Sequence, residues 1–340
     1  MISRMPLYYK EFKCTASDCS DNCCIGWEID IDDSTASFYD SVQGSFGDRL
    51  RKNIAKGECD SFILGENERC PFLNEKNLCD IIINLGEDKL CHICTHHPRY
   101  YEWIGNVREG GIGLCCEEAS RIILSYNQPF DFYECEIADD LCSDGFVPDE
   151  KLTELIYSVR LNIIRHLENP HIPLENAIAD VWEYSCYLQE LIDNGDYTLP
   201  PVKSCNATAV PDIKELLMTL TALEINNPRW LSYLQELIRN HSDNRFVTAE
   251  TEPYLRKIAV YFVWRYLIKA VFDEEIISKI YLMAVSIFAT GYMLCQKVTP
   301  LSLEECALLF KDFSKEIEYC EDNLSRIFDS AYDNPAFSII

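Results

Sequence analysis

Glycine is scarce in this chain, 13 of 340 residues, and none of it builds a GxGxxG or Walker turn. That removes the nucleotide-binding loop of a Rossmann methyltransferase or a P-loop enzyme, both of which need glycine where backbone meets phosphate. HExxH and GxSxG are also missing, so zincin and serine-hydrolase chemistry have no motif to stand on. Basic residues are few: 30 Lys and Arg against 56 Asp and Glu give a formal charge of −26. Such a field repels a phosphate backbone and argues against nucleic acid, whereas a lysine-bearing protein is attracted. The apolar stretch from Ile280 to Cys295 is shorter than the roughly 20 residues of a membrane span. Lys279 and Gln296 bracket it, so it predicts a fully buried helix and no membrane partner. The opening MISRMPLYYKEFKC has neither an apolar core nor a small-residue cleavage site, so a cytoplasmic location is expected.

What the chain has in excess is cysteine. Thirteen of its 18 cysteines fall in the first 142 residues, in CTASDCSDNCC (Cys14, Cys19, Cys23, Cys24), CPFL (Cys70), LCDI (Cys79), CHICTHHPR (Cys91, Cys94) and GLCCEEASR (Cys115, Cys116). Cytoplasmic thiols stay reduced, so a dense set there points to metal ligands or a redox centre rather than to disulfides. A chain of 340 residues that is 48% hydrophobic can bury a core without staples.

Cysteine density drops after Cys142, and the sequence changes character there. The fold class expected is mainly α: a cysteine-rich α+β N-terminal metal-binding domain with short strands over 1–145, then an all-helical, substrate-binding C-terminal domain over 146–340. In the first part, Trp27 to Ile31 alternates like a half-buried strand, and Ser34 reads as the N-cap of a helix to about Ile54. Tyr100 to Ile104 and Val107 to Leu114, joined by Gly105-Asn106, read as a β-hairpin, and Glu117 to Tyr126 as a short helix. Beyond residue 150 the periodicity predicts helices over 150–168, 173–194, 211–225, 228–241, 251–272, 274–297 and 302–329, with Thr198 to Pro211 as a loop.

Metal sites gather ligands from short local pairs. Cys14, Cys19, Cys23 and Cys24 lie within one or two turns of chain, Cys70 and Cys79 flank a turn at NEKN, and Cys91-x2-Cys94 is a chelating pair. Cys116 precedes a helix, where free amides stabilise thiolate. His96-His97-Pro98-Arg99 could supply a ligand or a supporting donor, or simply close a helix. Arg99 and Arg121 could bind a carboxylate or form surface ion pairs. Cys186, Cys205, Cys295, Cys306 and Cys320 stand alone on helical patterns and read as small buried hydrophobes. All-thiolate ligation suits both zinc and iron–sulfur. Three function classes follow: a cluster-bearing enzyme, a non-catalytic zinc-stabilised protein-binding module, or an iron–sulfur redox sensor.

FKCTASDCSDNCCIGWEIDID, CPFLNEKNLCDI, LGEDKLCHICTHHPR and LCCEEASRIIL, in this order, resemble the flagellin lysine N-methylase (FliB) family over roughly residues 8 to 126. The resemblance implies a cysteine motif chelating zinc or iron, with Cys14, Cys19, Cys23, Cys24, Cys70, Cys79, Cys94 and Cys116 as the metal ligands. It gives no ligand role to Cys91 or Cys115, and the proline the family carries after its last cysteine is Glu117 here. It further implies methyl transfer from S-adenosylmethionine to lysine side chains of flagellin, with a [4Fe–4S] cluster (zinc as the alternative). Arg99 and Arg121, read from the residues themselves, are the candidate cofactor-binding residues. No catalytic base is identified. The chemistry is demanding because lysine is nearly all ammonium at neutral pH, with a reference pKa of about 10.4. Aromatic walls that desolvate it, or a nearby base, must produce the neutral amine.

Overall fold

The computed structural model describes residues 1–138, 148–297, 300–333 and 336–340. Cys142 and the 145/146 boundary expected from sequence lie outside the described residues. The chain forms two compact units, one of Met1–Glu11, Tyr101–Cys115 and Ala119–Ile340, the other of Phe12–Tyr100 with Cys116–Glu118.

The larger unit is mainly helical, but it is not all-helical. Its N-terminal strand Ile2–Pro6 sits inside a four-stranded sheet, parallel to Val107–Ile112 (Ile2 opposite Val107) and antiparallel to Phe132–Glu136 (Ile2 opposite Glu136). The expected hairpin forms, with Arg99–Ile104 beside Val107–Ile112 and Gly105 at a positive φ in the turn. A second small pairing, Ala209–Pro211 with Phe337–Ile339, corrects the expectation that everything after residue 146 is helix or loop. The edge strand forms because Thr208 and Ile340 exchange backbone hydrogen bonds at its end.

The unit's helices include Glu150–Leu167, Leu174–Asp193, Ile213–Thr221, Pro228–Arg239, Glu252–Tyr266, Leu303–Ile317 and Glu321–Asp333, and four of them start where the sequence supplies a cap. Asp149, Asp212 and Asn227 accept hydrogen bonds from first-turn amides, and Ser302 with Glu305 forms a reciprocal capping box. The helix expected over 302–329 breaks after Ile317, where Glu318 turns its carboxylate into the interior. There it accepts from the hydroxyls of Tyr261 (2.9 Å) and Tyr266 (3.0 Å) and pairs with Arg265 (3.0 Å).

The apolar stretch is the buried helix expected: Ile277–Cys295 packs against Leu174–Asp193, Glu252–Tyr266 and Glu321–Asp333. By length and composition it could cross a membrane, but 94% of its apolar window is buried in this unit. Gly291 on this helix allows a close approach. A Cβ there would lie 2.3 Å from the Phe246 carbonyl oxygen, a backbone atom that cannot swing aside. Gly291→Ala is therefore expected to destabilise the chain by about 1–3 kcal/mol, because overpacking forces a backbone shift. An unchanged urea midpoint would reject that close packing.

A buried ion network ties this sheet to its helices. Arg160 (1% exposed) reaches Glu109 (2% exposed) through both guanidinium nitrogens, at 2.7 and 2.9 Å. Arg4 joins Glu109 from the other side at 2.7 Å and also holds Glu134. The Arg160 guanidinium lies 4.0 Å over the Trp264 ring, and the Trp264 indole donates to the Gly110 carbonyl.

The smaller unit is built of short pieces. Strands Asp30–Ile31 and Ile54–Ala55 flank Asp60–Phe62, both antiparallel to it. Only the last two residues of the expected strand from Trp27 are paired. The single helix expected from Ser34 is two, Asp33–Ser41 and Gly44–Lys52, and the cap is Asp32. Extended backbone at Val42 and Gln43 and a positive φ at Gly44 break it, and Gly47 then packs on the Val42 carbonyl where a side chain would clash. The core gathers Ile31, Tyr39, Leu50, Phe62, Phe72 and Ile81.

Candidate functional site

The cysteine-bearing loops of the smaller unit are held by their own side chains. Asn22 accepts from the Cys24 amide (2.9 Å), closing a turn that presents Cys23 and Cys24 together. The Cys70 amide donates to the Cys24 carbonyl (2.8 Å), and Ile25 bridges Arg69, so the second cysteine segment docks on the first. The expected turn at Asn74 to Asn77 forms. The Asn74 side chain accepts from the amides of Lys76 and Leu78, Asn77 takes a positive φ, and Leu73 bridges Cys79. Arg49 fixes this loop by pairing with Asp80 and donating to the Pro71 carbonyl, both at 2.7 Å.

The third segment hangs on Asp32. One carboxylate oxygen caps Asp33–Ser41 by accepting from the Thr35 amide, and the other accepts from the His92 amide at the start of the helix His92–His96. Partial burial works against ionisation, but hydrogen bonds from Ser34, His92 and Thr35 outweigh it and hold Asp32 well below the usual carboxylate range. A depressed acid stabilises the fold fully above its unfolded value of about 3.9, and the contribution is lost as pH falls through the folded value. Asp32→Ala should cost about 1–2 kcal/mol at neutral pH, the scale of a lost helix cap. The test is a urea titration, in which a neutral result would remove Asp32 from its organising role.

These contacts bring five cysteines to one core. Cys70 (6% exposed) and Cys91 (0%) belong to it, and Cys24, Cys79 and Cys94 pack against it. Cys23 and Cys24 share a hydrogen bond, as do Cys91 and Cys94. The sulfur atoms oppose one another's ionisation. Cys24 is driven up first by Cys23, and Cys94 first by Cys91, while donation from Cys94 lowers Cys91. Burial pushes Cys70 up to about 11 and raises Cys79 and Cys19 as well. Cys14 and Cys23 are exposed on the surface of the unit.

Cys115 and Cys116 part company. Cys115 belongs to the helical unit, 3% exposed and hydrogen-bonded to Tyr319, whereas Cys116 belongs to the cysteine unit. Glu117, where the resemblance leads one to expect proline, explains how the Cys116 segment is fastened. Its carboxylate accepts from the Ser20 amide (3.0 Å), the Ser20 hydroxyl (2.6 Å) and the Cys19 thiol (3.8 Å).

Every described cysteine is a thiol rather than half of a disulfide. Among the described residues, however, no group of three or more His, Cys, Asp or Glu side chains is arranged to hold a metal ion. The donor chemistry fits a thiophilic metal, and five sulfurs share a core. Cys91 is the residue the resemblance left out and the fold brings in; its CxxC spacing with Cys94 was the signal. His96 Nδ1 donates to the His92 carbonyl (3.0 Å), and His97 packs against Trp27. Arg99 lies in the cysteine unit with its guanidinium 5.0 Å over the Phe12 ring, while Arg121 falls on a helix in the other unit.

Comparison with known proteins supplies the remaining context. The family described as the FliB lysine N-methylase C-terminal domain matches residues 160–339. The flagellar biosynthetic protein FliU of Salmonella muenchen is 31% identical over 127 residues, 35% of this chain and 75% of that protein. The proteins named lysine-N-methylase from Salmonella typhimurium and Salmonella choleraesuis are each 25% identical over 224 residues, 62% of this chain. The alignment spans about half of each of those two, 53% of their length. No solved structure matches the chain. Because the family match takes in more than half of the chain, and its cysteine segments carry the same resemblance, this protein belongs to the FliB lysine N-methylase family.

Proposed function

We propose that this chain is a cytoplasmic protein-lysine N-methyltransferase that moves a methyl group from S-adenosylmethionine to lysine side chains of flagellin. The observation that carries the reading is the family match over 160–339, joined by relatives named lysine-N-methylase and a flagellar biosynthetic protein. The −26 charge favours a lysine-bearing protein as partner.

The reaction balances as a polar substitution. The ε-ammonium gives up a proton, and the amine lone pair forms a bond to the methyl carbon. The carbon–sulfur bond breaks with its electron pair going to sulfur, leaving S-adenosylhomocysteine. A nitrogen nucleophile needs no radical for this step, only a neutral amine held in line with the sulfonium.

The division of labour follows the two units. Cys24, Cys70, Cys79 and Cys94, with Cys91 beside them and Cys14, Cys19, Cys23 and Cys116 on the neighbouring loops, would hold an iron–sulfur cluster or zinc. When bound, that group would give the sulfur set its compensating positive charge and lock the short loops in place. Arg99, in the same unit, is the proposed partner for the methyl donor's carboxylate. The helical unit would grip the protein substrate.

The test is direct. The chain, purified without oxygen, is incubated with flagellin and methyl-labelled S-adenosylmethionine, and tryptic peptides are read by mass spectrometry. Methyl groups on flagellin lysines are expected. Labelled donor that stays intact in the presence of well-folded, metal-loaded protein would reject the activity, and zinc content without transfer would make the chain a binding module.

A further inference from the structure

The helical unit holds a notch walled by Tyr8, Tyr126, Phe130 and Tyr261, with Glu168 and Lys257 at its sides. The half-open notch offers about 30 Å³, room for roughly two water-sized groups. That volume suits a methylene and an ammonium head. Gln128, exposed, stands at its rim.

The wall is made by the fold. Tyr8 is 4% exposed and packs edge-on to Tyr126 at 5.6 Å. Tyr261 is held rigidly, its hydroxyl donating to Glu318 and accepting from Arg265 and the Leu114 amide. Glu168, just past the helix Glu150–Leu167, uses one carboxylate oxygen to accept from the Phe130 amide at 2.6 Å. Among the described residues no hydrogen bond or ion pair engages the other oxygen. The one cation lining the notch turns its charge elsewhere: the Lys257 ammonium donates to the Leu124 carbonyl and to Asn127 Oδ1.

Aromatic faces with one half-buried carboxylate are the chemistry that selects an alkylammonium over a neutral or anionic group. We propose that this notch takes the end of a substrate lysine side chain, its ε-ammonium facing Glu168 and the adjoining methylene lying against Tyr8, Tyr126 and Phe130. This rests on the lysine-methylating reading above and deepens it by placing the acceptor in the helical unit. Burial also raises Glu168, which suits a carboxylate that receives the proton the amine must lose.

The probe is N-acetyl-lysine methylamide, titrated into the full chain without methyl donor and followed by saturation-transfer NMR. N-acetyl-norleucine methylamide, of the same shape without the charge, is the control. Saturable binding of the lysine probe is expected, at least roughly tenfold tighter than the norleucine probe. Glu168→Gln and Tyr126→Leu should each weaken it about tenfold, while Tyr233→Leu, on the distant helix Pro228–Arg239, should not. Unfolding midpoints of the variants establish that they are folded. Equal binding of the two probes, or full binding by folded Glu168→Gln and Tyr126→Leu, overturns the assignment. Because binding is read without methyl transfer, an inactive chain that still binds lysine here would refute the activity and leave the notch standing.

Discussion

On the proposed metal-binding reading, Cys70→Ala and Cys94→Ala, purified without oxygen, are expected to lose most of the iron or zinc that the wild-type chain carries and several kcal/mol of stability. Structural thiolate sites couple metal binding to folding, and apparent binding free energies reach about 10–16 kcal/mol for zinc. The two positions are chosen because each packs in or on the core that also gathers Cys24, Cys79 and Cys91. Cys91→Ala is the sharper experiment. The family pattern assigns it no role, yet it is fully buried and hydrogen-bonded to Cys94. Loss of metal on its replacement would make it a ligand of this chain. Cys115→Ala, with its thiol on Tyr319 in the other unit, should keep its metal. Elemental analysis and the visible spectrum decide all four. Wild-type protein holding neither metal, or equal content throughout the series, would remove the inorganic centre.

Glu109→Ala should be the most damaging substitution in the helical unit, at about 3–5 kcal/mol. It strands two guanidiniums, Arg160 wholly buried and Arg4 partly so, that converge on one carboxylate. Arg4 keeps Glu134, but Arg160 keeps only the Trp264 carbonyl and the face of its ring. The penalty comes from the uncompensated charge, not from the worth of the pair. The double variant Glu109→Met with Arg160→Met should therefore recover much of the loss, as buried ion pairs replaced by packed apolar groups often do. Urea unfolding of the single and double variants measures this. A single variant within about 1 kcal/mol of wild type would mean that water reaches the site.

What was legible in the sequence was local. Ile280 to Cys295 reads as a core helix because the apolar stretch is short for a membrane span and Lys279 and Gln296 bracket it. The turn at Asn74 to Asn77 and the hairpin at Gly105 follow from side chains that make their own turns. What was not legible depends on distant partners. Nothing near Ile2–Pro6 reveals that it pairs with Val107–Ile112 and Phe132–Glu136, since register is set across the sheet. Val42 ends a helix whose pattern continues, because Gly44 turns the chain and Gly47 must pack on a carbonyl. In the candidate site, cysteine density was plain, but the inclusion of Cys91 and the separation of Cys115 from Cys116 depend on which core each side chain finds. The notch was invisible for the same reason: Tyr8 and Glu168 are 160 positions apart.

The strand Ile2–Pro6 also dictates an order of events during synthesis. Its neighbours are some hundred and more positions downstream, and a ribosome adds roughly 5–20 residues per second. For several seconds the nascent segment has no sheet to join, while everything from Phe12 to Tyr100 has already left the exit tunnel and can condense by itself. In the sequence, most of the cysteine-bearing unit is thus an insertion made before the strands that pair with Ile2–Pro6, and Cys116–Glu118 join it only afterwards. A helical fragment expressed from residue 146 onward would lack a central strand, and should emerge as insoluble protein unless residues 1–11 and 101–136 are supplied alongside.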